Sequence, residues 1–348
     1  MHRRPLNLAL VAATLILATS CGPGDGPTAE SRTPTEVVDA ALGDAAGAAA
    51  YRATTSTGQI TNVEALGLDA VVELDTTRPS VVTEVDAAGS EYSTVDLSTT
   101  LTALPGAAAF DAIGFATWVV GDLIIVDTNG FSAIADAGGS ASLGVFRPGV
   151  WTADLSTIDA DRNDVVTAIA GTGLPDPTQL AGAFLDSLDG IEADPDDPTR
   201  FTAETDYASL LEVYGQDVET VARSAAAGIA QSSGMALEPL AALYLDVYAN
   251  APVALEIVII DGTLSSIDAT TDLSSIWGRL AEESAALGLD VADSERAEFQ
   301  ASMKNGVLIV QSLTTFEFDD TIEVVAPTDV DQDRTDELGE FLAEVFGN

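Results

Sequence analysis

Histidine, cysteine and lysine are almost missing from this chain: among 348 residues there is one of each, His2, Cys21 and Lys304. With its only histidine at the extreme N-terminus, the body of the chain lacks the commonest general base and the commonest transition-metal ligand. A Ser-His-Asp triad, a Cys-His pair, a histidine-ligated zinc centre and a haem site are closed by counting. There is no G-x-S-x-G elbow, no G-x-x-x-x-G-K phosphate loop and no S-x-x-K arrangement, since the serine nearest Lys304 is Ser302, one position too close. A lone cysteine cannot form a disulfide within one molecule. Positive charge is equally scarce: 13 Lys and Arg face 56 Asp and Glu, a formal net charge of −43. Such a chain repels nucleic acid and anionic lipid surfaces. These absences lead to the expectation of a non-enzymatic protein without a cofactor. Carboxylate-only hydrolysis stays open as an alternative, although no particular pair of acids is singled out.

What the chain does have begins at its N-terminus, MHRRPLNLALVAATLILATSC. Arg3 and Arg4 supply a positive region, Leu6 to Leu17 a short apolar run, and Ala18, Thr19 and Ser20 small residues ahead of Cys21. The run is shorter than the roughly 20 residues that span a bilayer. This segment resembles the lipobox of bacterial lipoprotein signal peptides, with Ala18 in place of the usual leucine. The resemblance implies removal of residues 1–20, lipid attachment (palmitate or similar acyl chains) at Cys21, and a location on the extracytoplasmic face of the cell membrane. Two or more acyl chains anchor stably where one does not. Residues 22–35, GPGDGPTAESRTPT, are rich in Gly, Pro, Ser and Thr and read with Cys21 as a flexible tether over 21–35. Residues 36–348 are then the folded domain. Loss of Arg3 and Arg4 would make it more acidic still, and a hydrophobic content of 47% supports a sizeable core. A solvated acidic surface suited to a salty environment accounts for the acids.

Residues 36–49 have helical apolar spacing. From Tyr51, the runs YRATTSTGQI, GLDAVVELD and SVVTEVD read as antiparallel strands, with Val72 and Leu74, then Val81 and Val85, alternating against acids so that one face is apolar. ATWVVGDLIIVDT reads as two strands around Gly121-Asp122, and PGVWTADLST as another. Asp159 to Ala170 and Pro177 to Leu188 read as helices, EADPDDPT as a loop, Arg200 to Thr205 as a strand, and 207–249 as two helices broken near Gly234. PVALEIVII and TLSSIDATTDL flank the turn Asp261-Gly262, 276–303 reads as helical, GVLIVQSLTTFEFDD and TIEVVAP as strands, and Thr335 to Phe346 as the last helix. The order describes an α+β fold, with helices on the apolar face of a curved antiparallel sheet. Two domains divided near residue 195 are the alternative.

The lipobox, the tether, the strands beginning AYRATTSTGQI, the hairpin WVVGDLIIVDT leading to PGVWTADLST, and the ending LTTFEFDDTIEVVAPTDV together resemble the actinobacterial LppX/LprAFG-type lipoproteins. That resemblance implies a LolA-like half-barrel wrapped over helices, and a carrier or binding protein for an acyl lipid or glycolipid, with partner proteins unspecified. The helical segments at 207–249 and 276–303 depart from the smaller members as insertions. An open cavity would be lined by Val72, Leu74, Val81, Val85, Leu255, Ile257, Ile259, Phe316 and Phe318; the same residues serve equally as an ordinary core. Trp118, Trp151 and Trp277 are further contact candidates. One polar motif stands out, DVDQDRTDELGE: Asp329, Asp331, Asp333, Glu337 and Glu340 fall at positions 1, 3, 5, 9 and 12 of a calcium loop, but Arg334 stands where the loop requires glycine. An acidic N-terminus on the last helix explains the same residues. With a filled core, the chain would instead be an envelope interaction or signalling module.

Overall fold

A computed structural model describes residues 32–64, 68–96, 113–132, 144–158, 176–214, 216–233, 235–288, 296–330 and 332–346. Cys21 and the tether up to residue 31, and the helix expected at 159–170, lie outside them. Residues Thr33–Asn348 hold together as one unit. Its first element, α1 (Pro34–Ala46), starts two residues earlier than the apolar spacing suggests. Thr33 and Glu36 form a reciprocal capping box, with Thr33 N donating to Glu36 Oε2 at 2.7 Å, and Pro34 takes the first helical position, where no backbone donor is needed.

The fold is α+β, built on a large, open, curved and mostly antiparallel sheet. Among the described residues its strands are β1 (Tyr51–Val63), β2 (Leu68–Val72), β3 (Val81–Val85), β4 (Glu91–Asp96), β5 (Gly114–Val120), β6 (Leu123–Asp127), β7 (Val150–Asp154), β8 (Asp189–Ala193), β9 (Arg200–Asp206), β10 (Pro252–Ile260), β11 (Thr263–Asp272), β12 (Val307–Glu317) and β13 (Gln332–Asp333). Their order is β13-β7-β6-β5-β4-β3-β1-β12-β11-β10-β9-β8, and only β13 runs parallel to its neighbour. At the centre β1 and β12 pair from Arg52↔Glu317 to Asn62↔Val307. The other edge of β1 is shared, with β3 on Tyr51 to Thr55 and β2 on Gln59 to Val63. The switch falls at Gly58: a Cβ there would lie 3.0 Å from the Leu74 amide nitrogen, so the chain leaving β2 can cross only over a glycine.

Both expected hairpins form. Asp261 and Gly262 take φ of 52° and 82° between β10 and β11, and Gly121 takes 60° between β5 and β6. Four expectations need correction. Pro177 to Leu188 divides into a 3-10 turn, Pro177–Leu180, and a short helix α2 (Ala183–Ser187). Residues 207–249 form three helices, α3 (Tyr207–Val213), α4 (Val218–Ser233) and α5 (Leu237–Asn250). The 276–303 segment contributes α6 (Ser275–Glu282) and α7 (Arg296–Lys304). TIEVVAP pairs with none of the described strands, and Val325 within it is exposed. The last helix, α8 (Thr335–Phe346), is as expected.

Helices cover one face of the sheet, here the inner face. Three apolar clusters occupy it. Val38, Ala41, Leu42 and Ala45 of α1 pack on Val253, Leu255, Ile257, Ile259, Ile267 and Ala269 of β10 and β11. Leu338 and Leu342 of α8 pack on Val81, Val95, Phe115, Val119, Ile124, Val126 and Trp151 of β3 to β7. Leu240, Leu243 and Tyr244 of α5 join Ile276 and Leu280 of α6, Met303 of α7 and Val63 of β1. The outer face carries ion pairs, such as Arg52 with Glu84 at 2.7 Å and Glu317 at 3.0 Å. Among the described residues no helix is long and apolar enough to cross a membrane.

Candidate functional site

Strand alternation puts the inner-face residues of β1 and β12 in pairs: Ala53↔Phe316, Thr55↔Thr314, Thr57↔Ser312, Gln59↔Val310 and Thr61↔Leu308. Ala53 and Phe316 hold one end of this ladder, Val310 and Leu308 hold the β12 side of the other, and polar side chains line the rest. Thr55 and Thr314 Oγ1 lie 2.9 Å apart, and the Tyr214 hydroxyl, following α3, reaches Thr314 Oγ1 at 3.2 Å. Thr57 Oγ1 meets Ser80 Oγ at 2.7 Å, and Gln59 Nε2 donates to Thr61 Oγ1 at 2.6 Å. Burial pushes the Tyr214 phenol above its ordinary pKa, so it stays neutral. This hydroxyl seam runs between the three apolar clusters. Sequence reasoning missed it because Thr and Ser in a strand are read as β-formers; the available signal was their recurrence at alternate positions in YRATTSTGQI and in QSLTTF.

The residues expected to line a cavity divide among separate places. Leu255, Ile257 and Ile259 are buried under α1, with Phe316 and Phe318 half-buried against the same cluster and stacked at 6.1 Å between ring centroids. Val81 belongs to the β3 to β7 cluster; Val85, half-buried, lies four residues along the same strand. Val72 pairs with Gln59 on the inner face, and Leu74 sits beyond the end of β2 beside Gly58. Four strand steps separate β3 from β10, about 19 Å at the usual spacing. Val81 and Leu255 therefore do not face one another across a single small pocket. Of the tryptophans, Trp118 is on the outer face against Tyr92, with centroids 5.1 Å apart; Trp151 is buried; Trp277 packs over Gly306.

The acidic motif is engaged locally. Asp333 accepts from Thr335 N at 3.0 Å and from its Oγ1 at 2.7 Å, bonds that hold its carboxyl below the usual range. Glu337 takes both its oxygens to Arg147 Nη2 at 2.6 Å. Asp329 and Glu340 make no contact with these two among the described interactions, and Asp331 lies outside the described residues. Arg334, the residue that breaks the calcium pattern, has the larger role. It is buried, donates to Val145 O at 3.1 Å, Arg147 O at 3.2 Å and Gln332 Oε1 at 2.8 Å, and stacks over Trp151 with its guanidinium carbon 5.7 Å from the ring centre. Desolvation, and then Arg147, lower its pKa. Together with Arg334 N, which donates to Thr152 O at 2.8 Å, these contacts clamp the start of α8 to β7, the strand next to the sheet edge.

Burial, and then Glu256, its direct neighbour across β10 and β11, push up the carboxyl of Asp268. This pair sits on the outer face, where Arg200 Nη1 holds Glu256. No protein-family model matches the chain, and no curated protein matches it significantly.

Proposed function

We propose that this chain is a lipid-anchored protein of the outer leaflet of the cell membrane, held through Cys21, and that its folded part is a LolA-like half-barrel of the LppX/LprAFG type acting as a non-enzymatic carrier or binding protein for an acyl lipid or glycolipid. The observation that carries this reading is the one-sided curved sheet: a broad inner face, apolar in three patches and covered by helices instead of a second sheet, follows an N-terminus that resembles a lipoprotein signal. The stacked Phe316 and Phe318, half-buried at the border of the α1 cluster, suit contact with an acyl chain. Each buried methylene contributes about 0.8 kcal/mol. The sequence also lacks the nucleophile and base pairs that most hydrolases need.

Native mass spectrometry with lipid extraction, on the mature chain purified from a lipid-producing actinobacterial host, tests this. The carrier reading expects a stoichiometric acyl lipid. A clean apo mass sinks it in favour of the second reading, an envelope interaction or signalling module with a filled core. That second reading draws on the close packing of Leu255, Ile257 and Ile259 beneath α1. A carboxylate hydrolase would need two acids facing one cleft, whereas the coupled pair, Glu256 and Asp268, lies on the outer face.

A further inference from the structure

On the outer face, strand register lines up Arg52, Glu84, Tyr92, Trp118 and Ile125 across β1, β3, β4, β5 and β6. The Tyr92 and Trp118 rings meet at 5.1 Å between centroids with 34° between their planes, and both are half-buried. Ile125 faces the same way yet is only 4% exposed, so its neighbours shield it while the two rings keep contact with solvent. The next level along carries Thr94, Ala116 and Asp127, two small side chains and a carboxylate. The aromatic pair is therefore flanked by two acids, Glu84 directly beside Tyr92 and Asp127 diagonal to Trp118. Burial, and then the charges of Glu84 and Asp127, raise the Tyr92 phenol above its ordinary pKa. In the described bonds each acid uses one oxygen: Glu84 Oε1 accepts from Arg52 Nε at 2.7 Å, and Asp127 Oδ1 from Asn129 N at 2.9 Å. The chain itself shows what such a ring takes. On the inner face the Arg334 guanidinium lies over Trp151 at 5.7 Å, whereas among the described residues no cation is placed over Trp118.

We propose that Tyr92 and Trp118, with Glu84 and Asp127 beside them, form a docking site for an arginine side chain presented by a basic partner protein. The inference stands apart from the carrier reading, because it concerns the opposite face of the sheet. Arginine fits on three counts: its planar guanidinium stacks on aromatic faces, its N–H groups fork onto carboxylates, and it keeps its charge at any physiological pH. The acids beside the rings only accept hydrogen bonds, which favours an N–H-rich cation over a sugar, the other flat ligand that such rings accommodate. The charge of the whole chain points the same way, since a net −43 draws a cationic partner and repels a second copy of this chain. Arg52, in the same row, does not compete for the rings, because Glu84 and Glu317 hold it at 2.7 and 3.0 Å.

The test titrates the mature full chain with an arginine-rich peptide, with its citrulline counterpart, which keeps the shape and loses the charge, and with cellohexaose. Calorimetry at about 0.15 M salt reads the affinities. The variants are Trp118→Leu, Trp118→Phe and, as a control, Glu204→Gln, an exposed acid of β9 on the same face, with Tm recorded for each. Expected are binding of the arginine peptide and none of the citrulline peptide, about tenfold weaker binding in Trp118→Leu, a smaller loss in Trp118→Phe, and no change in Glu204→Gln. If Trp118→Leu melts below the wild type, Trp118→Phe, which keeps a ring there, decides. Equal affinity in the wild type and both Trp118 variants would show that only the general negative field attracts the peptide, and the inference falls. It falls as well if the arginine peptide does not bind, and cellohexaose binding in its place would make the rings a sugar platform. Neither result depends on whether the chain carries lipid.

Discussion

The two halves of the inner face are built from different chemistry. On β9 to β11 it is mainly aliphatic, with α1 laid along it, and the buried hydroxyl of Thr205 is paired with Ser187 Oγ at 2.7 Å. On β3 to β7 it is aromatic, with Phe115, Phe131 and Phe146 in mutual ring contact and Phe341 of α8 edge-on to Phe146, and it keeps three buried polar atoms without partners. One sheet thus carries a face whose groups are satisfied by the chain itself and a face whose groups are not. The first closes its buried hydroxyl within the chain, whereas the second leaves Thr83, Thr117 and Trp151 without partners among the described residues.

Ile257→Ala should show the largest effect, because the side chain is fully buried under α1 and its removal leaves a cavity. A loss of about 3 to 4 kcal/mol in a urea titration is expected, against about 1 kcal/mol for the half-buried Val85→Ala. Comparable losses at both positions would erase the distinction between the halves. Arg334→Met comes next. It strands the carbonyl of Val145 and leaves that of Arg147 to Thr128 Oγ1 alone, for about 2 kcal/mol, and hydrogen exchange should quicken in β7 and α8 while β9 to β11 stay protected.

A smaller contrast sharpens the difference directly. Thr314→Val removes a hydroxyl that Thr55 and Tyr214 both use, so it should destabilise by about 1 kcal/mol, whereas Thr83→Val removes an unpartnered one and should leave Tm unchanged or raised. Equal losses in thermal melts would show that Thr83 already has a partner. The smallest effect belongs to Asp268→Asn on the outer face. The folded pKa of Asp268 is raised, so the wild type holds its full stability below the unfolded carboxyl value, near pH 4, and loses some as pH rises through the folded value. Asparagine escapes that loss, so the variant should gain a few tenths of a kcal/mol at pH 7, after solvent screening, and nothing at pH 3. Urea midpoints at the two pH values decide it.

Hairpin turns and amphipathic strands were legible in the sequence because they depend on neighbouring residues: Asp261-Gly262 needs only two positive φ angles, and VALEIVI needs only alternation. Missed elements lack that local signature. β8, DGIEA, has a single apolar side chain of any size, and it is a strand because β9 lends it partners at the sheet edge. β4, EYSTVD, is recruited between β3 and β5 after a turn in which Asp86 Oδ1 accepts from Ala88 N and Ser90 N. TIEVVAP has the composition of a strand but pairs with none of those described. Of the site, the apolar strand residues were readable one by one. Their division among three clusters was not, because membership depends on which helix lands on which strand.

By itself the sequence determined that one histidine and one cysteine allow no disulfide within the chain and no histidine in its body, and that its strands are apolar on one side. These follow from composition and from periods of two and 3.6 residues, which need no knowledge of distant neighbours. Only the tertiary structure decided that Thr83, Thr117 and Trp151 stand at one level without partners, and that Arg334 is a clamp on β7 instead of a fault in a calcium loop. Register between strands far apart in the chain sets which side chains meet, and no local pattern encodes it.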